Sequence, residues 1–245
     1  MVRGENGTLS AAYDLSGNGI PIVGIPKTID NDVAGTDRTF GFDTAVSIVT
    51  EAIDRLQTTA ESHHRIMVVE VMGRDAGWIA LEAGIAGGAN EILLPEIRFS
   101  MDDVCANLKA RYQAGKQYSV VVVAEGTHHE DVAGVIVPAC DRDECGHEKF
   151  VGVGNLLARE LERRLAIETR VTVPGHVQRG GTPAATDRMH ATRFGVAAVE
   201  QIRAGNFGCM VALRGARIGT VLLREVASRI KTVDPAGYAL AKRVM

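Results

Sequence analysis

Short apolar runs that alternate with segments of helical periodicity constrain this chain more than any other feature. Ile66 to Val71 is a β-branched run that closes on Met72-Gly73-Arg74, and Val120 to Ala124 is a Val-rich run that closes on Glu125-Gly126. Runs that are apolar throughout, rather than at every second position, read as strands buried on both faces. Two further strands are predicted at Ile92 to Leu94 and Arg170 to Val173, and an opening one from Ile20 to Ile25, ending at Pro26. Helical spacing separates them. From Asp43 to Thr58 the apolar positions Ala45, Val46, Ile48, Val49, Ile53 and Leu56 form one stripe. Ala76 to Gly87, Met101 to Gly115, Val151 to Leu165 and Asp187 to Ala204 read as further helices. Strands and helices in this order predict an α/β chain with mostly parallel sheets covered on both faces. No internal repeat and no low-complexity linker interrupts it.

Composition narrows the class. At 245 residues the chain can bury a substantial core as one large domain or two lobes. Hydrophobic content of 46% with 23% charged residues is that of a globular enzyme, built on Val, Ile, Leu and Ala because aromatics are few. A formal charge of −3 supplies no basic field for nucleic acid. No charge-free apolar run approaches the roughly 18 residues that span a bilayer, and Met1-Val2-Arg3-Gly4-Glu5 is no signal peptide. Cys105, Cys140, Cys145 and Cys209 suggest no disulfide framework, so a cytoplasmic setting is expected. Cys140, Cys145 and His147 lack a fourth zinc ligand and read as a polar loop, and the pairs His63-His64 and His128-His129 read as surface residues.

The chemistry gathers where strands end. After the opening strand comes Pro26-Lys27-Thr28-Ile29-Asp30-Asn31-Asp32, with two carboxylates two residues apart beside a Thr, an Asn and a Lys. Phosphoryl transfer asks for such a set: one acid to take a hydroxyl proton, one to serve a metal, a cation to meet phosphate charge. The same residues suit an Asx-rich turn before a helix, and by themselves they leave both readings open. Arg74 and Glu125 end two other strands, and Gly175-His176-Val177-Gln178-Arg179-Gly180-Gly181 follows a fourth. Ligands of open parallel sheets bind beyond the carboxyl ends of the strands. A surface ion pair explains Arg74, and a helix cap explains Glu125, each taken alone. Their joint placement at strand ends favours a site.

The loop Pro26 to Asp32 resembles the catalytic loop of the phosphofructokinases. Further collinear matches are Val69-Glu70-Val71-Met72-Gly73-Arg74, Ala86-Gly87-Gly88, Glu125, and Gly175 to Gly181. The resemblance implies a phosphofructokinase-like fold of two doubly wound lobes. Residues 1–41 and 178–228 would form the remainder of the nucleotide lobe, and 42–177 and 229–245 the sugar-phosphate lobe. It implies 6-phosphofructokinase activity in glycolysis, phosphoryl transfer from ATP to the 1-hydroxyl of fructose 6-phosphate. Asp30 would be the general base, with Asp32 and Thr28 assisting and Arg74 facing the phosphoryl group in flight. Met72, Gly73, Glu125 and Arg179 would hold the sugar and His176 its phosphate. Arg65 and Arg170 match arginines that reach the sugar phosphate of a neighbouring subunit, which implies a homodimer or homotetramer.

Two positions speak to the donor. Lys27 is typical of pyrophosphate users and of one actinobacterial-type group of ATP users. Gly7, twenty residues upstream, leaves room for a nucleotide and favours ATP, with Thr8 beside it. Mg2+ is the implied cofactor. Its acidic ligand in the family is replaced by Asn6 in ungapped register, or supplied by Glu5 if one residue is inserted. The family's opening Gly-Gly-Asp-x-Pro-Gly-x-Asn loop has no counterpart here, so the resemblance implies an incomplete first lobe. With neighbouring strands lost, the Ile20 to Ile25 strand is expected to carry an exposed apolar edge. The alternatives are a pyrophosphate-dependent phosphofructokinase and a non-catalytic homologue that binds sugar phosphate or joins a full-length partner.

Overall fold

The computed structural model describes residues 1–128, 152–227, 229–243 and 245. Cys140, Cys145, His147 and His129 lie outside the described residues. The chain divides into two compact units, one of residues 1–45 and 179–232, the other of 46–178 and 233–245.

The first unit is a mixed sheet covered on both faces. Its strands are β1 (Val2–Gly4), β2 (Val23–Thr28), β3 (Phe40–Gly41), β8 (Cys209–Arg214) and β9 (Arg217–Leu222), in the order β1-β2-β8-β9 with β3 on β2. All pairings are parallel except β8 with β9. Alternation along β8 sorts the core. Met210 and Ala212 pack with Leu9 and Ala12 of α1 (Asn6–Gly17), whereas Cys209, Val211 and Leu213 pack with Phe194 and Ala198 of α6 (Ala185–Arg203).

Here the expected exposed edge on the opening strand is overturned. β2 lies inside the sheet, between β1 and β8. The strand also starts later and runs through Pro26, which sits in register with Gly4. Proline has a φ that suits extended backbone and forfeits only one donor there. Edge position falls instead to β1, a three-residue strand that the sequence patterning does not announce.

The second unit holds an all-parallel sheet, β5 (Glu91–Leu93), β6 (Ser119–Ala124), β4 (Ile66–Val71) and β7 (Thr169–Thr172), in the order β5-β6-β4-β7. β4 and β6 are buried at every position, as their continuous apolar runs require. One face packs Ile66, Val68, Val121 and Val123 against Val104 and Leu108 of α4 (Met101–Gln113) and Leu157 and Leu161 of α5 (Val153–Leu165). α3 (Trp78–Ala86) packs on β5 and β6. α2 (Phe42–His63) extends five residues beyond the expected end at Thr58, and the boundary between the units falls within it. The short α7 (Leu223–Val226) follows β9, and α8 (Pro235–Ala241) docks through Tyr238, whose hydroxyl donates to the carbonyl of Ile92 at 3.2 Å. Among the described residues no helix is long and apolar enough to cross a membrane.

Candidate active site

In the first unit, parallel register sets the loop from Pro26 to Asp32 beside a helix start. Because Gly4 pairs with Pro26, the chain leaving β1 into α1 runs alongside the chain leaving β2. A cavity of about 620 Å³ opens there, lined by Gly4, Glu5, Thr8, Lys27, Thr28 and Asp30 among others, Arg179 included. The Glu5 side chain stands at the N-cap of α1 without making a capping bond. The first turn of that helix therefore presents backbone N–H groups and the positive end of the helix dipole, a disposition suited to phosphate.

Within the loop, Thr28 and Asp30 are buried and hold each other. The Thr28 hydroxyl donates to Asp30 Oδ2 at 3.2 Å and accepts from the Asp30 N–H at 3.1 Å. Asn31 adopts a left-handed backbone with φ 54°. Its Oδ1 accepts the Thr39 N–H at 3.1 Å, and the Thr39 hydroxyl donates to the Thr28 carbonyl at 2.8 Å. Asn6 donates through Nδ2 to Asp32 Oδ2 at 2.9 Å and to the Asp32 carbonyl at 3.0 Å. Burial, with the Asp30 charge nearby, pushes the Asp32 carboxyl up to about 6. The oxygens Asn6 Oδ1 and Asp32 Oδ1 are buried and find no hydrogen-bond partner among the described residues. A pair of buried, unsatisfied hard oxygens suits a hard cation. Asn6 thus places an unpartnered amide oxygen beside the Asp32 carboxylate, while Glu5 borders the cavity.

In the second unit, Val71 and Ala124 are partners at the ends of β4 and β6, so the residues that follow them meet. Glu125 Oε1 accepts the N–H groups of Gly73 at 3.2 Å and Arg74 at 3.0 Å, and Gln178 Oε1 accepts that of Met72 at 3.3 Å. Two glycines permit this. Gly73 has φ 146°, and a Cβ there would run into the Ala76 carbonyl oxygen. A Cβ on Gly126 would run into the carbonyl oxygen of Arg74. Arg74 itself is held at φ 50°, a conformation that an L residue adopts only when its surroundings insist. His176 is exposed on a 3-10 turn (Gly175–Arg179) that follows β7.

Arg65 and Arg170 are not brought to this end. They lie at the amino-terminal ends of β4 and β7, where Arg65 Nε donates to Glu168 Oε2 at 2.6 Å and Arg170 Nη2 donates to Glu168 Oε1. A six-residue strand separates Arg65 from Met72, roughly 20 Å of rise. These arginines and Met72 cannot grip one small sugar phosphate within the same unit.

Several supporting residues escaped the sequence reading. Asp187, on α6, accepts the N–H groups of Gly41 at 2.8 Å and Thr44 at 2.7 Å, and so caps the start of α2 from a distance. With Asp43 and His190 it forms an acid and imidazole cluster whose ligand atoms lie within 4.8 Å of one another. Its carboxylate is already committed to those backbone groups, and Asp43 is paired with Arg38 at 3.0 Å. Lys231 likewise carried no local signal, and Gln178, though within the Gly175 to Gly181 motif, gave no hint of its role, since each acts on a loop far away in sequence.

The family model described as Phosphofructokinase matches residues 1–202. The chain is 53% identical over 243 residues to "ATP-dependent 6-phosphofructokinase 3" of Streptomyces coelicolor, covering 99% of this chain and 71% of that protein. It is 55% identical to the same organism's "Pyrophosphate--fructose 6-phosphate 1-phosphotransferase", covering 97% and 69%. A crystal structure of a pyrophosphate-dependent phosphofructokinase from Marinobacter aquaeolei superposes with a TM-score of 0.79 at 28% identity, over 95% of this chain and 60% of that one. This chain thus spans about seven-tenths of the length of its curated relatives. Strand-end carboxylates on β2, a glycine-permitted Met-Gly-Arg turn on β4, and matches that run the length of the chain lead to one assignment: the chain belongs to the phosphofructokinase family.

Proposed function

We propose that this chain transfers the terminal phosphoryl group of ATP to the 1-hydroxyl of fructose 6-phosphate, giving fructose 1,6-bisphosphate. The observation that carries the reading is the Asp30 and Asp32 pair, which ends a parallel strand beside a cavity that a helix N-terminus also faces. In this reading Asp30 accepts the proton of the 1-hydroxyl as the oxygen attacks, its rotamer fixed by the Thr28 hydroxyl. Gly7 and Thr8 in the first turn of α1, with Lys27, receive the donor phosphates. Arg74 meets charge on the group in flight. Met72, Gly73, Glu125 and Arg179 hold the sugar, and His176 takes its phosphate. Turned toward a neighbouring copy, Arg65 and Arg170 serve that copy's sugar phosphate, so the active form is a homodimer or homotetramer. Their position a strand length from Met72 supports that division of labour.

Mg2+ is the cofactor of this reading. Asn6 and Asp32 would hold it through their unsatisfied oxygens, and the ion would neutralise phosphate charge.

A second donor, pyrophosphate, is favoured by Lys27 and by the 55% identical relative that carries that name. Gly7 argues for ATP, since a Cβ placed there meets nothing within 4 Å. Measuring fructose 1,6-bisphosphate formation with Mg2+, in parallel with ATP and pyrophosphate, tests the reading. Turnover with ATP is expected. Silence with both donors, from protein shown to be folded, would sink it. Gly7→Asp separates the donors further. An acid in the first turn of a helix is favourable, so loss of ATP use would report on the donor and not on folding.

A further inference from the structure

The segment 229–232 belongs to neither helix nor strand, yet it grips the catalytic loop. Val33 and Ile230 form an isolated antiparallel bridge, and the Lys231 N–H donates to the Asp32 carbonyl at 2.7 Å. The Lys231 ammonium then reaches back across the loop. Nζ donates to Asn31 Oδ1 at 3.0 Å, to the Thr36 carbonyl at 3.0 Å and to the Asp37 carbonyl at 2.9 Å. An ammonium carries three N–H bonds, and here each has an oxygen.

What it holds matters more than how many bonds it makes. Asn31 lies between Asp30 and Asp32 and adopts the left-handed φ of 54° that orients both. Its Oδ1 also accepts the Thr39 N–H, so one side-chain oxygen ties both limbs of the loop together. The outer limb is moored in turn. Thr36 Oγ1 accepts the Leu213 N–H at 3.0 Å, and the Asp37 N–H donates to the Leu213 carbonyl at 2.9 Å. Remove the ammonium, and two backbone carbonyls and an amide oxygen on facing limbs are left turned toward one another with no cation between them.

We propose that Lys231 is a positioning residue of the phosphoryl-transfer site, an ammonium that fixes the left-handed Asn31 and through it the aim of Asp30 and Asp32. The proposal rests on the phosphotransferase reading above. A group that only sets geometry should act on turnover more than on substrate binding, because misplacement of the base by a fraction of an ångström weakens the transition state selectively.

The test is Lys231→Met in the full chain, which keeps the length of the side chain and the backbone bond to Asp32. Expected is a roughly tenfold to hundredfold fall in kcat, with KM for both substrates within about threefold. Hydrogen exchange at the Thr39 amide should quicken by about tenfold or more, since its acceptor loses its tether. In Lys231→Ala, added propylammonium should recover part of the lost kcat, which a general loss of stability would not allow. If Lys231→Met does not fold, Lys231→Arg keeps the charge while misplacing the donors, and an intermediate fall in kcat is expected. Unchanged kcat in either variant, when wild type turns over, overturns the proposal alone. Unchanged Thr39 exchange overturns it as well. Wild-type silence with both donors would overturn the phosphotransferase reading instead, and Thr39 exchange would still decide whether Lys231 moors the loop.

Discussion

Two carboxylates that follow parallel strands, one in each unit, are treated in opposite ways. Glu125 leaves β6 and accepts two backbone N–H groups, so its charge is spent on shaping the Gly73-Arg74 turn. Asp32 leaves β2 and stands near Asp30, with one buried oxygen unpaired and its carboxyl pushed up to about 6 by burial first and that neighbour second. A third acid, Glu70 on β4, is also raised by burial, yet it is answered by the Gly154 N–H at 2.7 Å and so caps the start of α5. A carboxylate whose oxygens are answered by backbone N–H groups builds the scaffold. One left short of positive charge awaits a ligand.

The sharpest way to break this contrast is Asp30→Asn. It removes the proposed base while keeping shape, and kcat should fall on the order of 10³-fold with KM little changed. Steady-state kinetics decide it, and a fall of less than tenfold would move the base elsewhere. Asp32→Asn comes next. Turnover should drop, whereas metal-free protein should gain about 1–3 kcal/mol, because a repelled, desolvated charge is gone. Since the Asp32 carboxyl titrates near 6 in the folded chain and near 3.8 otherwise, the folded state binds the extra proton between those values. Its stabilising contribution is complete below 3.8 and is lost as pH rises through about 6. Metal-free wild type should therefore lose thermal stability across that window, while Asp32→Asn stays flatter and Mg2+ restores wild type at pH 7. Equal slopes for the two proteins would refute the electrostatic account.

On the satisfied side the effects are smaller and differently distributed. Gly126→Ala forces a methyl against the Arg74 carbonyl, so the turn must shift. A cost of about 1–3 kcal/mol and a several-fold rise in KM for fructose 6-phosphate are expected, with kcat less affected. Glu70→Gln should be the mildest change. An amide oxygen still accepts from Gly154, so stability should move by about 1 kcal/mol or less and kcat not at all. A large loss of turnover in Glu70→Gln would mean that the scaffold and the chemistry are less separate than the two regions suggest.

Much of the architecture was legible because it is local. Ile66–Val71 is a strand with the bounds its apolar run predicts, and Ser119–Ala124 gains one residue. The helical stripe from Asp43 underestimated α2, since beyond Thr58 only the small, buried Ala60 continues the period among polar residues. β1 and β9 were missed for a related reason. β1 is only three residues long, and β9 is mostly exposed, with the pattern Arg217-Ile218-Gly219-Thr220 carrying little apolar signal. α1 was missed because its glycines and serines mask a helix whose buried side is only Leu9 and Ala12. The exposed edge expected on β2 failed because that expectation counted absent neighbours and overlooked β1 and β8.

The residues of the proposed site could be named from the sequence because strand ends are written in short words: Thr28-Ile29-Asp30-Asn31-Asp32, Met72-Gly73-Arg74, Glu125-Gly126. Hydrophobic periodicity and turn chemistry act over a few residues and need no knowledge of the whole. The state of those residues was decided only by the tertiary structure. Asn6 meets Asp32 across 26 residues, and Lys231 meets Asn31 across 200. Parallel register sets Glu125 beside Gly73 and sends Arg65 to the far end of the same strand. Desolvation and long-range hydrogen bonds belong to packed neighbours and not to a linear pattern, which is why the acid pair could be read early and the raised pKa of Asp32 could not.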